Sequence, residues 1–325
     1  MLGLRDSRIL ITGGSGFIGS NIARNLISKG AKVHIISRSN SNRWRLLDIL
    51  DQLTLHEGDI LDALLVWHVI RSVKPDYIIH CAVFTGHPRD HEEEREALKV
   101  RALGTLNLLH AAQNINFLKF VNIGSSLEYG NRPYPLTEKT TMRPTVFRGV
   151  THTIASMLCD YFARARQLPV VNLRPFTVYG PWDSPRKFIP TVLRAALWGG
   201  EVPLTLNDTF HDFIFIDDVV DACLKAMTTN LKFGEVINIG TGKQWSNRQV
   251  VELVESIVRK RITINLGAHP GNPTDTKNWV ACIKKAKRLL GWQPQYDLPE
   301  GLRKTMKWLK QHAYSLSKFP FGEFR

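Results

Sequence analysis

Four cysteines in 325 residues are few, and Cys81, Cys159, Cys223 and Cys282 lie far apart with no paired spacing. That excludes a disulfide framework and a zinc-ribbon type of site, and reduced thiols in a cytosolic compartment are the expectation. Long apolar runs are absent too: no stretch approaches the roughly 20 residues that a membrane helix needs. The amino terminus, Met1-Leu2-Gly3-Leu4-Arg5-Asp6-Ser7, enters a strand directly and has no apolar core of a secretion signal. Internal repeats and low-complexity tracts are missing as well. No long basic block exists, although the net charge is +14; the nearest approach, Lys284-Lys285-Ala286-Lys287-Arg288, reads as the exposed face of one helix. Basic and aromatic residues are not interleaved into a nucleic-acid-reading surface. The charge therefore favours small anionic partners, with neither nucleic acid nor membrane as the expected partner.

What is present is the material of a large core, with 43% hydrophobic and 22% charged residues. Short apolar runs at Arg8–Thr12, Lys32–Ser37, Leu53–His56, Tyr77–His80, Phe120–Gly124 and Val170–Leu173 read as buried strands. Helical patterns separate most of them. One carries Ile18, Ile22, Leu26 and Ile27 on a single stripe and ends at Lys29-Gly30; another spans Ala97–Gln113. Strand and helix in alternation predict a doubly wound parallel sheet. After Pro175 the rhythm loosens. A strand at Asp212–Ile216 leads into a helix near Asp217, Val236–Ile239 reads as another strand, and a loop around Gly267–Asp275 precedes two basic amphipathic helices. The expected division is a Rossmann-type α/β domain of residues 1–180 plus 210–245, and a smaller, mostly helical lobe of residues 181–209 plus 246–325 over the sheet's carboxyl edge.

The first strand delivers Thr12-Gly13-Gly14-Ser15-Gly16-Phe17-Ile18-Gly19. Glycines at 13, 16 and 19 permit a tight turn and a close approach of backbone to pyrophosphate, whose charge the following helix N-terminus stabilises. A strand before and a helix after give this triplet its specificity for a dinucleotide. The second strand ends at Ser37-Arg38 without the acidic residue that would hold a ribose 2′-hydroxyl. A hydroxyl followed by a guanidinium, with Arg43 nearby, suits a 2′-phosphate, so NADP is the preferred cofactor and NAD the alternative.

These motifs, together with Gly58-Asp59-Ile60, His80-Cys81-Ala82, Ser125-Ser126-Leu127-Glu128-Tyr129-Gly130, Leu173–Pro181, Asp212–Val219, Ile237–Gly242 and Leu290-Gly291-Trp292-Gln293-Pro294, span nearly the whole chain. Through them the chain resembles the extended short-chain dehydrogenase/reductases, the NAD-dependent epimerase/dehydratase family. The resemblance implies a polar sugar or nucleotide-sugar substrate and cofactor contacts from Gly13, Ser15, Gly16, Phe17, Ile18, Gly19, Ser37, Arg38, Asp59, Ile60 and Ala82. It places Ser125 at the active-site hydroxyl position, with Ser126 and Thr177 beside the substrate. It also implies a homodimer paired through Ala97–Gln113 and Thr151–Arg166.

Several residues depart from the family pattern. Where the family carries a proton-transferring Tyr and, four residues on, a Lys, this chain reads Phe147-Arg148-Gly149-Val150-Thr151-His152. Arg148 takes the Tyr position and His152 the Lys position. An arginine stays protonated and cannot act as a general base, but it clamps a carboxylate or phosphate or stabilises an oxyanion. His152 titrates nearer neutrality and shares that helix face. The family's Asn before the Gly-Thr of the fourth helix is Arg101 here. Its two diphosphate arginines are His211 and His269, and the Asp-Glu pair of its dehydratases is Ser126-Leu127. His87 is a further candidate at the substrate lip. Expected catalytic residues are therefore Ser125, Arg148 and His152. Arg148, His152, His211 and His269 join the substrate or cofactor contacts. The reading is an atypical NAD(P)-dependent epimerase or oxidoreductase; the alternative is a catalytically silent NADP(H) sensor or scaffold.

Overall fold

The computed structural model describes residues 3–84, 88–133, 135–271 and 276–317. Seven parallel strands form the central sheet: β1 (Arg8–Thr12), β2 (Lys32–Ser37), β3 (Leu53–Glu57), β4 (Tyr77–His80), β5 (Lys119–Ile123), β6 (Val170–Pro175) and, after four short strands, β11 (Glu235–Ile239). Their spatial order is β11-β6-β5-β4-β1-β2-β3. Neighbouring side chains along β1 serve opposite layers. Ile9 and Ile11 enter the core shared with α1 (Phe17–Ser28) and α7 (Ile216–Thr228). Leu10 enters the core shared with α2 (Ala63–Val73), α4 (Gly104–Ala112) and α5 (Phe147–Ala165). A parallel strand buried on both faces is apolar throughout, which is why these runs were legible without alternation.

The strand order reverses at β1, which lies between β2 and β4. In open α/β sheets ligands bind in the crevice outside the carboxyl ends of strands at such a reversal. The glycine-rich turn that follows β1 lies at that edge.

Some elements differ from expectation. The helix expected at Ala97–Gln113 begins earlier, as α3 (His91–Leu98), capped by the Asp90 carboxylate on Glu93 N–H at 2.9 Å. It then passes through one π-helical segment, Lys99–Leu103, before α4. The strand expected at Asp212–Ile216 is two short pieces, β9 (Phe210–His211) and β10 (Phe213–Phe215). Asp212 separates them because its buried carboxylate accepts hydrogen bonds from Thr241 N, Thr241 Oγ1, Gly242 N and Ala281 N. β10 pairs with β7 (Thr177–Tyr179), and β9 with β12 (Trp245–Ser246).

Segments 181–209 and 246–317 are mostly helical. Besides α6 (Phe188–Trp198), α8 (Asn247–Val258), α9 (Lys284–Leu290) and α10 (Leu298–Ser317), they hold a parallel pair of β8 (Glu201–Leu204) and β13 (Thr263–Leu266). Lys284, Lys287 and Arg288 on α9 are exposed, as the basic run implied, while Lys285 pairs with Glu235. All four cysteines are free thiols. Among the described residues no helix is long and apolar enough to cross a membrane, and no group of three or more His, Cys, Asp or Glu could hold a metal ion.

Candidate functional site

The turn after β1 leaves no room for side chains. Gly13 has φ +69, and a Cβ there would lie 2.6 Å from the backbone of Cys81 and Ala82 at the end of β4. A Cβ on Gly19 would lie 2.3 Å from the Gly13 carbonyl oxygen. Helix α1 starts right behind, with Gly16 at its N-cap in extended conformation (φ −78, ψ 175) and no side chain capping its first turn. Free N–H groups and the helix dipole thus face an open turn, an arrangement that could hold a pyrophosphate. Ser15, Phe17 and Ile18 flank it, partly exposed.

At the end of β2, Ser37 is buried and Arg38 exposed. Arg43 donates to the Arg38 carbonyl at 3.1 Å and reaches toward Glu57 at 3.5 Å, and its Nε has no partner among the described residues. Two arginines, Arg38 and Arg43, therefore stand together at the carboxyl end of β2. Asp59 accepts from Leu61 N–H at 3.0 Å, holding the turn before α2. Ile60 is packed beneath Gly104, and its carbonyl accepts from Asn107.

The start of α5 carries Arg148 and His152. Gly149 lets the helix approach the Ser125–Gly130 turn: a Cβ there would sit 2.6 Å from the Leu127 carbonyl. Arg148 is therefore in the first turn and His152 one turn further, on the same face. His152 is 4% exposed, and neither of its ring nitrogens has a hydrogen-bond partner among the described residues. Nε of Arg148 is likewise buried and unpartnered. Burial first, then the cations Arg101 and Arg148 and the His80 ring, push the His152 pKa well below the usual histidine range. The ring is neutral at neutral pH, able to donate from one nitrogen and accept at the other. Orphaned buried polar atoms are uncommon. Those of Arg148 and His152, on adjoining turns of α5, are groups that a bound polar ligand could satisfy.

Ser125 is the N-cap of a short 3₁₀ turn, Ser126–Tyr129, and closes a capping box with Glu128. Its Oγ accepts from Leu127 N–H at 3.2 Å, so the hydroxyl proton is left to donate. Glu128 is fully buried; it accepts from Ser125 N–H at 2.9 Å and from Arg174 Nε at 2.7 Å. Arg174 also donates to Tyr129 Oη at 2.9 Å, and Tyr129 donates to Asn238 at 2.7 Å. Tyr129 is thus a buried packing residue with a committed hydroxyl.

Beneath this turn, Arg101 is fully buried. Its guanidinium donates to Ala82 O, Asn122 Oδ1 and Ile123 O, which tie together the carboxyl ends of β4 and β5. His80 bridges Thr12 Oγ1 (2.6 Å) and Thr105 Oγ1 (2.9 Å). Both of its nitrogens are engaged by threonines.

One contributor was not visible in the sequence. Trp182 adopts φ +70, a left-handed conformation that strains a bulky residue. Its ring is held under the Arg24 guanidinium at 3.9 Å and against Trp308 at 5.0 Å, and its carbonyl accepts from Arg45 Nε at 2.7 Å. This pinning turns the next residue, Asp183, inward, where it is 7% exposed. Burial raises the Asp183 pKa, against the pull of Lys187, the Ser184 N–H, Arg45 and Arg148. The run Gly180-Pro181-Trp182-Asp183-Ser184-Pro185 signalled a turn, but nothing local showed that its acid faces Arg148.

The other substrate candidates are dispersed. Ser126 is buried. Thr177 and His211 lie side by side, Oγ1 to Nδ1 3.5 Å. His269 is on an exposed loop, where its Nδ1 accepts from Gly271 N–H at 3.2 Å, so it is not drawn to α5. His87 falls outside the described residues.

Comparison with known proteins agrees with this fold. The profile of the NAD dependent epimerase/dehydratase family matches residues 9–240. The chain is 28% identical to dTDP-glucose 4,6-dehydratase 1 of Escherichia coli K12, over 98% of this chain and 97% of that protein. It is 30% identical to the uncharacterized UDP-glucose epimerase YtcB of Bacillus subtilis, over 93% and 98%. The fold is similar to the crystal structure of UDP-glucuronic acid 4-epimerase from Bacillus cereus in complex with UDP-glucuronic acid and NAD, with a TM-score of 0.84 and 27% identity, covering 94% of this chain and 99% of that one. UDP-glucose 4-epimerase from Thermotoga maritima, with UDP-glucose, gives 0.85 and 26% over the same shares. With the glycine cradle at the sheet reversal and a family match across more than two thirds of its length, the chain belongs to the NAD-dependent epimerase/dehydratase family.

Proposed function

We propose that this chain is an NAD(P)-dependent enzyme of the epimerase/oxidoreductase kind, acting on a nucleotide sugar at a site where Arg148 and His152 replace the usual Tyr and Lys. The observation that carries this reading is the buried, unpartnered Nε of Arg148 together with the two unpartnered ring nitrogens of His152, on the first two turns of α5. A bound nicotinamide dinucleotide supplies a hydride acceptor and donor. Gly13, Gly16 and Gly19 bind its pyrophosphate, and His152 holds the ribose hydroxyls. Ser125 donates its hydroxyl proton to the substrate oxygen, and Arg148 stabilises negative charge developing there. Arg148 cannot remove a proton. The neutral His152 imidazole relays it, as a weak base given its lowered pKa.

Ser37, Arg38 and Arg43 support NADP over NAD. NADPH should bind more tightly than NADH to the purified protein, and the Arg38→Ala/Arg43→Ala double variant should lose that difference. Segments 181–209 and 246–325 act as the substrate lobe in this reading, and the protein works in the cytoplasm. It pairs as a homodimer through residues 97–113 and 151–166, where Leu98, Leu103, Met157 and Tyr161 are 38%, 50%, 58% and 51% exposed. The decisive experiment is denaturation of the purified protein and mass spectrometry of what is released. Bound NADP(H) or NAD(H), with hydride transfer lost in Arg148→Ala and in His152→Ala while the dinucleotide still binds, supports the assignment. Turnover unchanged in both variants refutes it.

A second reading, a redox-silent sensor or scaffold, draws on Tyr129: its hydroxyl is engaged by Arg174 and Asn238 and cannot stand in for the missing phenol. It predicts tight dinucleotide binding with no hydride transfer.

A further inference from the structure

The first turn of α5 is built for negative charge. Its N-cap, Val146, has no side chain to offer the free N–H groups, and no acidic residue occupies the first turn. The dipole of this 19-residue helix therefore ends uncompensated at Phe147–Gly149. Arg148 projects from that turn with a buried Nε that has no partner among the described residues, and His152 adds two more unpartnered nitrogens one turn on. The surrounding charges do not balance. Asp183 is an acid facing Arg148, but the cations Lys187 and Arg45 face the same carboxylate. Arg101 adds a further positive charge close to both Arg148 and His152. Glu128, the other nearby acid, is already matched by Arg174. Three cations, Arg148, Lys187 and Arg45, thus face the one carboxylate of Asp183, and a buried guanidinium N–H without a partner is costly unless a ligand supplies one.

We propose that Arg148 and the amino terminus of α5 form an oxyanion site, so that the substrate of this cleft carries a carboxylate or phosphoryl group against Arg148. A guanidinium fork matches either group through two parallel hydrogen bonds, which a tyrosine hydroxyl at that place does not. The inference rests on the reading of the cleft as a nucleotide-sugar site, and it narrows the substrate to those with an anion at the position where a neutral hydroxyl would meet the usual phenol.

Two probes that share a nucleotide and differ at one group separate the sources of the anion. UDP-glucuronate and UDP-glucose are titrated calorimetrically into the full-length protein and into Arg148→Gln and Arg148→Lys. A sugar carboxylate in the site gives UDP-glucuronate about tenfold tighter binding or more, a preference absent in Arg148→Gln and partly restored in Arg148→Lys. A phosphoryl group in the site gives equal affinities for both probes, lost together in Arg148→Gln. Inorganic phosphate and free glucuronate raise the melting temperature of the native protein and leave that of Arg148→Gln unchanged. Without ligand, Arg148→Gln melts no lower than the native protein, because Lys187 and Arg45 still face Asp183 and one of the surplus cations is gone. The proposal is overturned if the probes bind Arg148→Gln as they bind the native protein. It is equally overturned if neither probe nor simple anion binds, or if Arg148→Gln melts lower without ligand. Dinucleotide release and hydride transfer test the parent reading separately: their failure leaves Arg148-dependent anion binding standing, and their success does not rescue it.

Discussion

Gly16→Ala separates a ligand cradle from a merely tight turn. Gly16 has φ −78, a conformation open to alanine, and a Cβ there would meet only the Gly13 carbonyl oxygen, at 3.1 Å. That contact needs an adjustment of a few tenths of an ångström. Against its cost stands a gain of about 0.4–1 kcal/mol from the lower entropy of the unfolded chain. Folding stability should therefore change by no more than about 1 kcal/mol. Dinucleotide binding should fall much further, because the methyl group fills the space that lets pyrophosphate reach the N–H groups of α1. A loss of about tenfold or more in NADPH or NADH affinity corresponds to about 1.4 kcal/mol or more. Gly19→Ala should behave oppositely. Its Cβ would lie 2.3 Å from the Gly13 oxygen and 2.9 Å from Gly14 Cα, all rigid backbone, so the turn itself must open and stability falls by about 1–3 kcal/mol. Fluorescence titration with reduced dinucleotide, paired with urea unfolding, reads both quantities. A folded Gly16→Ala protein with native affinity would refute the cradle.

Arg174→Met should destabilise the fold more than either glycine substitution, by about 3–5 kcal/mol, since it strands the fully buried Glu128 carboxylate; chemical unfolding measures it, and a cost below about 1 kcal/mol would show that Glu128 finds another partner. The lowered pKa of His152 sets a pH dependence: the folded ring stays neutral while the unfolded one takes up a proton below pH 6.5, so this contribution is present above that pH and lost as pH falls through it. His152→Gln should accordingly lose stability less steeply than the native protein between pH 6 and 5, by about 1.4 kcal/mol per pH unit, and parallel stability curves would contradict the burial argument. Met157→Glu/Tyr161→Glu should shift the protein from dimer to monomer in sedimentation with its melting behaviour otherwise preserved; an unchanged mass would move the interface elsewhere.

Local pattern carried much of this protein. Strands β1, β2 and β4 lie where their apolar runs ended, since a strand buried on both faces needs no partner's identity to be recognised. The glycine turn was equally legible, because the absence of Cβ atoms is itself the structural requirement, and so were Arg148 and His152, whose spacing on one helix is a matter of pitch. What the chain order concealed was pairing between distant segments. β8 contains a proline and β13 is four residues long, and each becomes a strand only against the other. The break at Asp212 follows from hydrogen bonds donated by Thr241, Gly242 and Ala281. The inward acid at Asp183 depends on a tryptophan pinned by Arg24, Arg45 and Trp308, residues drawn from opposite ends of the chain. Burial, and with it the unmet valence of Arg148 and His152, is a property of everything packed around a side chain. Periodicity and spacing determined which residues stand at the carboxyl edge of the sheet; only tertiary packing decided which of them were left without partners.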